Sequence, residues 1–321
     1  MIAGAYGRVW VVATCMAVFA LLPRTGGTQQ QPPAQRQSLP TAELGVELPT
    51  LGGGDWWSFA HKKYFTPEIM QDIRDNLHAT YVRTGWIPGR LNFETIRWHR
   101  EDDGIDAICG AGLRLMIIVP SPTGDGQGID DLVDNVREFF GRYTARNAGC
   151  IRYAEVANEA DLAANHFADV SSYASYYERV APVIAAFGVD VITSGVSGED
   201  RPWTAALAGI LGGARPALPV SGYGFHPYGV APSRMADATL AIRRAAGMPN
   251  GSLPTVYVTE IGQAKAGDLY ATIVNLAHAT PAITIYEYAA QKGEDPQYGL
   301  KNNPALYRAV REAWDYLHSA P

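Results

Sequence analysis

The stretch LRLMIIV, Leu113 to Val119, decides the fold. It is almost continuously apolar, whereas a strand with one wet face alternates apolar and polar residues. Such a run suits a parallel strand covered on both faces by helices. Gly112, just before it, fits the end of a helix over Asn92 to Ala111. Beyond it, Ile129 to Arg146 places Leu132, Val136 and Phe139 or Phe140 on one helical face. The unit is therefore helix, buried strand, helix, and the same alternation continues in both directions.

Upstream, Glu43 to Leu48 (ELGVEL) reads as a first strand and Thr80 to Thr84 (TYVRT) as a second. Between them a helix starts at Thr66, with Pro67 at its first position and Ile69, Ile73 and Leu77 at helical spacing. Downstream, strands are expected at Ile151 to Ala157, Val189 to Ser194, Val220 to Phe225, Thr255 to Thr259 and Ala282 to Tyr288. Helices follow them around Val170 to Phe187, Trp203 to Leu211, Ser233 to Ala246 and Asp268 to Ala279. A closing helix carries Leu306, Val310, Ala313, Trp314 and Leu317. Eight strand–helix units are the count of a (β/α)₈ barrel, an α/β fold, within one domain over residues 41–321. A doubly wound open sheet is the alternative; it usually has fewer units, and no G-x-G-x-x-G follows the first strand.

The chain has 321 residues, 47% of them hydrophobic and 18% charged, with a formal net charge of -6. These are the proportions of an ordinary globular protein, and no long basic run suggests nucleic acid as a partner. At the N-terminus, Arg8 precedes an apolar run from Val9 to Leu22, closed by Pro23 and Arg24. Residues 1–25 read as an export signal, or as an anchor retained in a membrane. Residues 26–40, rich in Gln and Pro, read as a disordered linker. A periplasmic or extracellular location is the expectation. Of three cysteines, Cys109 and Cys150 fall just before the third and fourth strands. Both would lie at the N-terminal face on neighbouring units, where an oxidising compartment allows them to pair.

In such a barrel, reactive side chains stand at the C-terminal ends of strands. The fourth strand ends in Asn158 and Glu159, and the seventh in Glu260. Their carboxylates would face one mouth from opposite sides. Cleavage of a glycosidic bond needs two flanking carboxyl groups, about 5 to 5.5 Å apart for retention and about 6.5 to 9.5 Å for inversion.

The stretches YAEVANE (Tyr153 to Glu159) and PTVYVTEIG (Pro254 to Gly262) resemble the fourth- and seventh-strand motifs of the clan A retaining glycoside hydrolases. Cellulase-like and β-xylosidase-like families are the nearest in kind. The resemblance implies Glu159 as acid/base and Glu260 as nucleophile, in a double displacement at an O-glycosidic linkage expected to be β. It implies Arg83, in V-R-T, close to the nucleophile and holding it ionised. His226-Pro227-Tyr228 is similar to the His-x-Tyr of cellulase-like members: Tyr228 would position Glu260, and His226 would contact substrate. Asn158 would bind the sugar 2-OH. Trp56, Trp57 and Trp86, after strands one and two, and Tyr288, at the end of strand eight, are further candidates for sugar contact. Glu155 reads as interior and charge-paired. The chain departs from the clan at Ala157, where a Trp is common, and at Ala160, where a Pro is common. It departs again at Tyr286, Glu287 and Tyr288, where the strand-eight Trp is missing, and at Val119-Pro120, which lacks a His.

The expected partner is an oligo- or polysaccharide, without a cofactor. Two other readings remain open at this stage. One is a carbohydrate-binding barrel without turnover. The other is a metal-dependent hydrolase, disfavoured because no H-x-H follows the first strand and the seven histidines are scattered.

Overall fold

The computed structural model describes residues 42–49, 51, 64–86, 94–122, 128–165, 167–214, 217–247, 253–289 and 297–319, with backbone alone for 94–100. The expected signal and linker, Trp56 and Trp57 lie outside the described residues. Among the described residues no helix is long and apolar enough to cross a membrane.

Nine parallel segments form the sheet: β1 (Glu43–Glu47), β2 (Tyr81–Gly85), β3 (Arg114–Val119), β4 (Ile151–Val156), β5 (Asp190–Thr193), β6 (Val196–Ser197), β7 (Tyr223–His226), β8 (Val256–Ile261) and β9 (Ala282–Ile285). Their order is β5-β4-β3-β2-β1-β9-β8-β7-β6. Segments β5 and β6 belong to one strand–helix unit, interrupted at Ser194-Gly195, and they stand at the two ends of that order. Closure runs between them. Val196 pairs with Phe225, Ile192 bridges to Gly222, and the Thr193 N–H donates to the Gly222 carbonyl at 3.1 Å. Eight units close into a (β/α)₈ barrel, as the alternation of buried strands and helices predicts.

The helices are α1 (Pro67–Gln71), α2 (Glu94–Gly110), α3 (Ile129–Arg146), α4 (Val170–Ala185), α5 (Arg201–Gly213), α6 (Met235–Ala245), α7 (Ala266–Leu276) and α8 (Pro304–Ser319). Local chemistry sets their starts. Thr66 caps α1 ahead of Pro67, Asp169 and Ser172 form a capping box on α4, and Asp200 caps α5. Helix α3 has the expected bounds and buries Leu132, Val133, Val136, Phe139, Phe140 and Tyr143 against the sheet. The eighth unit differs from expectation. Its strand ends at Ile285, three residues early, and the chain leaves through a cis Tyr286–Glu287 bond.

The lower barrel interior is a plug of Tyr81, Met116, Tyr153, Ile192, Tyr257 and Ala282. Gly45 makes room for it, since a Cβ there would sit 2.1 Å from the Tyr81 ring. The Tyr81 hydroxyl meets the Thr284 hydroxyl at 2.9 Å. This layer closes the barrel below and leaves the upper interior to polar groups. At the N-terminal face, Cys109 at the end of α2 and Cys150 before β4 form the expected disulfide, with Cα atoms 5.7 Å apart.

Candidate active site

Directly above the plug lies a buried charged layer centred on Arg83, two residues beyond Tyr81 on β2. Its guanidinium is fully buried and has four partners. Nε donates to Glu155 on β4 at 2.8 Å, and Nη2 donates to Asn158 at 2.7 Å. Nη1 donates both to Glu47 on β1 at 2.5 Å and to Glu260 on β8 at 2.6 Å. Glu155 also accepts from the Gly195 N–H at 2.9 Å and the Thr259 hydroxyl at 2.8 Å. Burial alone would raise the Glu155 pKa. The charge of Arg83 and the contacts of His226 outweigh it and bring this carboxyl down to about 2.

Two adjacent residues of β8, Thr259 and Glu260, both reach this layer. A regular strand would send them to opposite faces. The register of β8 against β9 shifts between Val258 and Ile261, and that irregularity re-aims the chain so that both side chains serve the interior. Glu260 accepts from the Tyr228 hydroxyl at 2.7 Å as well as from Arg83. Burial opposes its ionisation, but the charges of His226 and Arg83 and these hydrogen bonds hold its pKa below the ordinary carboxylate value.

Beyond β4 the chain turns sharply. Ala157 and Glu159 have φ of +66° and +42°, in the left-handed region that side chains disfavour. The turn is held by the Ala160 N–H donating to the Ser194 hydroxyl at 2.9 Å and by the Asn165 amide donating to the Glu159 carbonyl at 2.9 Å. It lifts the Glu159 carboxylate over the layer, with 18% of its side chain exposed. One carboxylate oxygen of Glu159, one of Glu260 and a ring nitrogen of His226 all lie within 4.8 Å of one another.

His226 links Glu159 to the charged layer below it. Its Nδ1 lies 3.1 Å from Glu159, and its Nε2 lies 3.0 Å from the Thr259 hydroxyl. The single Thr259 hydroxyl proton goes to Glu155, so Thr259 accepts from Nε2 and the ring donates on that side. Burial would lower the His226 pKa. The charge of Glu260, with the bonds to Glu155 and Glu159, outweighs it and raises the value to about 10. Both ring nitrogens are thus engaged with protein groups, Nε2 with Thr259 and Nδ1 with Glu159. Gly195 is required here: a Cβ would fall 2.2 Å from His226 Nε2. The interruption between β5 and β6 therefore makes the space for this ring.

Arg83, Asn158, Glu159, Tyr228 and Glu260 are thus brought together. Three other candidates are not at the mouth. His226, expected to contact substrate, is fully buried with both ring nitrogens turned to protein groups. Trp86 is 2% exposed and stacks on Phe139 of α3, with ring centroids 4.5 Å apart. It lies three residues from Arg83, which by strand parity points it to the helix layer. Tyr288 is buried, and its hydroxyl donates to Asp72, in the turn that extends α1, at 2.6 Å. Glu155 is interior and charge-paired, as expected. Glu47, Thr259 and Asp161 were not singled out by the sequence. Asp161, which accepts from the Ser197 N–H at 3.0 Å, is pushed up to about 6, chiefly by burial. For Glu47 a signal existed: Glu43, Gly45 and Glu47 share strand parity, and Glu47 is the last residue of β1.

No protein-family model matches the chain, and no curated protein matches it in sequence. Solved structures do share its fold. The GH39 β-xylosidase from Caulobacter crescentus aligns at TM-score 0.64 and 14% identity over 87% of this chain and 71% of that one. The endo-1,4-β-mannanase from Rhizomucor miehei aligns at TM-score 0.61 and 12% identity, over 88% and 96%. The GH5_18 structure from Streptomyces cattleya in complex with GlcNAc aligns at TM-score 0.60 and 16% identity, over 88% and 82%. The likeness to clan A glycoside hydrolases seen in two sequence motifs thus extends to the backbone fold.

Proposed function

We propose that this chain is a retaining glycoside hydrolase, with Glu260 as nucleophile and Glu159 as acid/base. One observation carries the reading. Oxygens of the two carboxylates lie within 4.8 Å of each other at the ends of β8 and β4, a gap that suits direct attack and is tight for the interposed water of an inverting enzyme. The two carboxyls also have unequal surroundings. Glu260 is held by Arg83 and Tyr228, which favour the anion a nucleophile needs.

In the first step Glu159 gives its proton to the leaving oxygen while Glu260 bonds to the anomeric carbon, whose bond to that oxygen breaks. In the second, Glu159 takes a proton from water, the water oxygen bonds to the anomeric carbon, and the Glu260 ester breaks. Asn158, its oxygen anchored on Arg83, presents its amide N–H groups to the sugar 2-OH. His226 positions Glu159 from below and does not touch substrate. A β linkage is the choice favoured by the names of the xylosidase and mannanase that share the fold. The disulfide agrees with an exported protein acting on oligo- or polysaccharide outside the cytoplasm.

The test uses a panel of aryl β-glycosides with the product anomer followed by NMR, and a 2-deoxy-2-fluoro glycoside with mass mapping of the labelled peptide. The expected result is retention, label on Glu260, loss of turnover in Glu260→Ala, and rescue of Glu159→Ala by azide. Inverted product, or turnover undiminished in Glu260→Ala, overturns the proposal.

A further inference from the structure

Glu47 is a third carboxyl in direct contact with the machinery, and the mechanism above does not use it. Its oxygen and that of Glu260 are bonded to the same nitrogen, Nη1 of Arg83, at 2.5 and 2.6 Å. Two acceptors on one NH₂ group are no more than about 5 Å apart. Resting on the glycosidase reading, we infer that Glu47 is the reserve counter-ion of Arg83: it holds a proton while Glu260 is a carboxylate, and gives that proton up when Glu260 becomes an ester.

Charge and geometry lead there together. Among the described residues, the groups facing Glu47 are Arg83 from β2, Glu155 from β4 across that guanidinium, His226 and Tyr228 from β7 and the turn after it, and Glu260 from β8. The neighbouring strand β9, Ala282–Ile285, carries no charged residue. Two cations, Arg83 and His226, therefore meet Glu47, Glu155 and Glu260, with Glu159 above them. Two anions balance the cations. Glu155 is one, fixed by Arg83, Gly195 and Thr259. Glu260 is the other, with two side-chain donors among the described residues, Arg83 and Tyr228, against one for Glu47. Like charges sharing one site do not both ionise freely, so the less-bonded carboxyl keeps its proton. Burial, reinforced by the Glu260 charge and offset only in part by Arg83, accordingly pushes the Glu47 pKa well above the ordinary carboxylate range.

Esterification of Glu260 reverses the balance. The bond from its oxygen to the anomeric carbon removes one anion, and Arg83 is left short of a partner. Glu47 is already on Nη1 and has 16% of its side chain exposed, a route for its proton to water. On formation of the glycosyl-enzyme the O–H bond of Glu47 breaks, its electron pair stays on the carboxylate, and a solvent base takes the proton. Hydrolysis of the ester restores the Glu260 anion, and Glu47 takes a proton back, so the cycle is balanced.

The proton can be counted. A dinitrophenyl 2-deoxy-2-fluoro glycoside leaves as the phenolate without general acid, so the Glu159→Gln variant can be trapped on Glu260 with Glu159 removed from the proton count. A pH indicator in weak buffer should report about one proton released per dinitrophenolate in Glu159→Gln, and essentially none in Glu159→Gln/Glu47→Gln. No release in the first, or equal release in both, overturns the inference. A second measurement needs no turnover. In Glu159→Gln protein labelled at the glutamate carboxyl carbons, NMR should show a carboxyl titrating above the ordinary range that Glu47→Gln removes, and adding Glu260→Gln should move it down by about one pH unit or more. An unmoved titration overturns the inference. Failure of the glycosidase reading alone would leave this coupling intact and would show instead as label absent from Glu260.

Discussion

Replacing Glu155 by Gln tests the charged layer as a source of stability. Glu155 is fully buried and accepts from Arg83 Nε, the Gly195 N–H and the Thr259 hydroxyl. Gln offers one oxygen and turns an NH₂ toward a donor, and it leaves Arg83 without this anion. The magnitude comes from two directions. Breaking a buried ion pair costs about 3–5 kcal/mol. Independently, a carboxyl held at about 2 in the fold, against 4.5 ordinarily, contributes about 3 kcal/mol at pH 7. For a fold of roughly 280 residues this corresponds to a fall in Tm of about 5 °C. The sign fixes the pH dependence. The folded pKa is depressed, so the contribution is full above the unfolded value of 4.5 and is lost as pH falls through about 2. The assay is urea unfolding of both proteins at pH 7 and pH 3. The gap between them should shrink by more than half at pH 3. A gap below about 1 kcal/mol at pH 7, or one that ignores pH, would refute the reasoning.

Tyr228→Phe removes one hydrogen bond to the Glu260 carboxylate and nothing from the core; with hydrogen bonds to charged groups worth about 1.5–3 kcal/mol, kcat/KM on an aryl glycoside should fall about 10- to 100-fold with Tm nearly unchanged. Gly195→Ala puts a Cβ 2.2 Å from His226 Nε2 and 2.8 Å from the Thr259 hydroxyl, so it should destabilise by about 1–3 kcal/mol in urea and reduce kcat by displacing the ring that supports Glu159. Cys109→Ser/Cys150→Ser opens a link spanning 41 residues, for which chain entropy gives about 4 kcal/mol; Tm should drop by about 7 °C while kcat at low temperature stays the same, because the bond lies at the face away from the carboxylates.

Much of this was legible because barrels obey short-range rules. Continuous apolar runs flag strands covered on both faces, and Thr66-Pro67 or the apolar stripe of α3 flag helices at nearly their true bounds. Once eight units are counted, the two strand-end glutamates and the two cysteines acquire positions. Some errors were errors of parity: Trp86 is odd-numbered from Arg83 along β2 and faces the helices. Glu47 is masked by a boundary: apolar Leu48 extends the strand pattern one residue past the true end of β1, so Glu47 does not stand out as a strand-end carboxylate. Others had no local signal. The β8 irregularity that brings both Thr259 and Glu260 inside depends on pairing with β9. The break at Gly195 is set by a histidine 31 positions away on another strand. Tyr288 follows an irregular stretch in which period-two reasoning no longer applies.

The arrangement also explains why a barrel tolerates such a layer. Buried ion pairs are often no more stabilising than apolar residues of the same volume, since desolvation opposes attraction. Arg83 carries the cost of that desolvation once and distributes its donors over Glu155, Asn158, Glu47 and Glu260. The aromatic plug beneath it supplies the apolar burial that the layer does not. A guanidinium is planar, with its donors in a fixed fork, so binding Glu155 on β4 through Nε determines where Nη1 presents to Glu260 on β8. Lys at position 83 would keep the charge but lose that transfer of direction. The placement of Glu260 relative to Glu155 and Asn158 thus follows from one side chain clamped between opposite walls of a closed barrel, while the turn after β4 and His226 hold Glu159 above it.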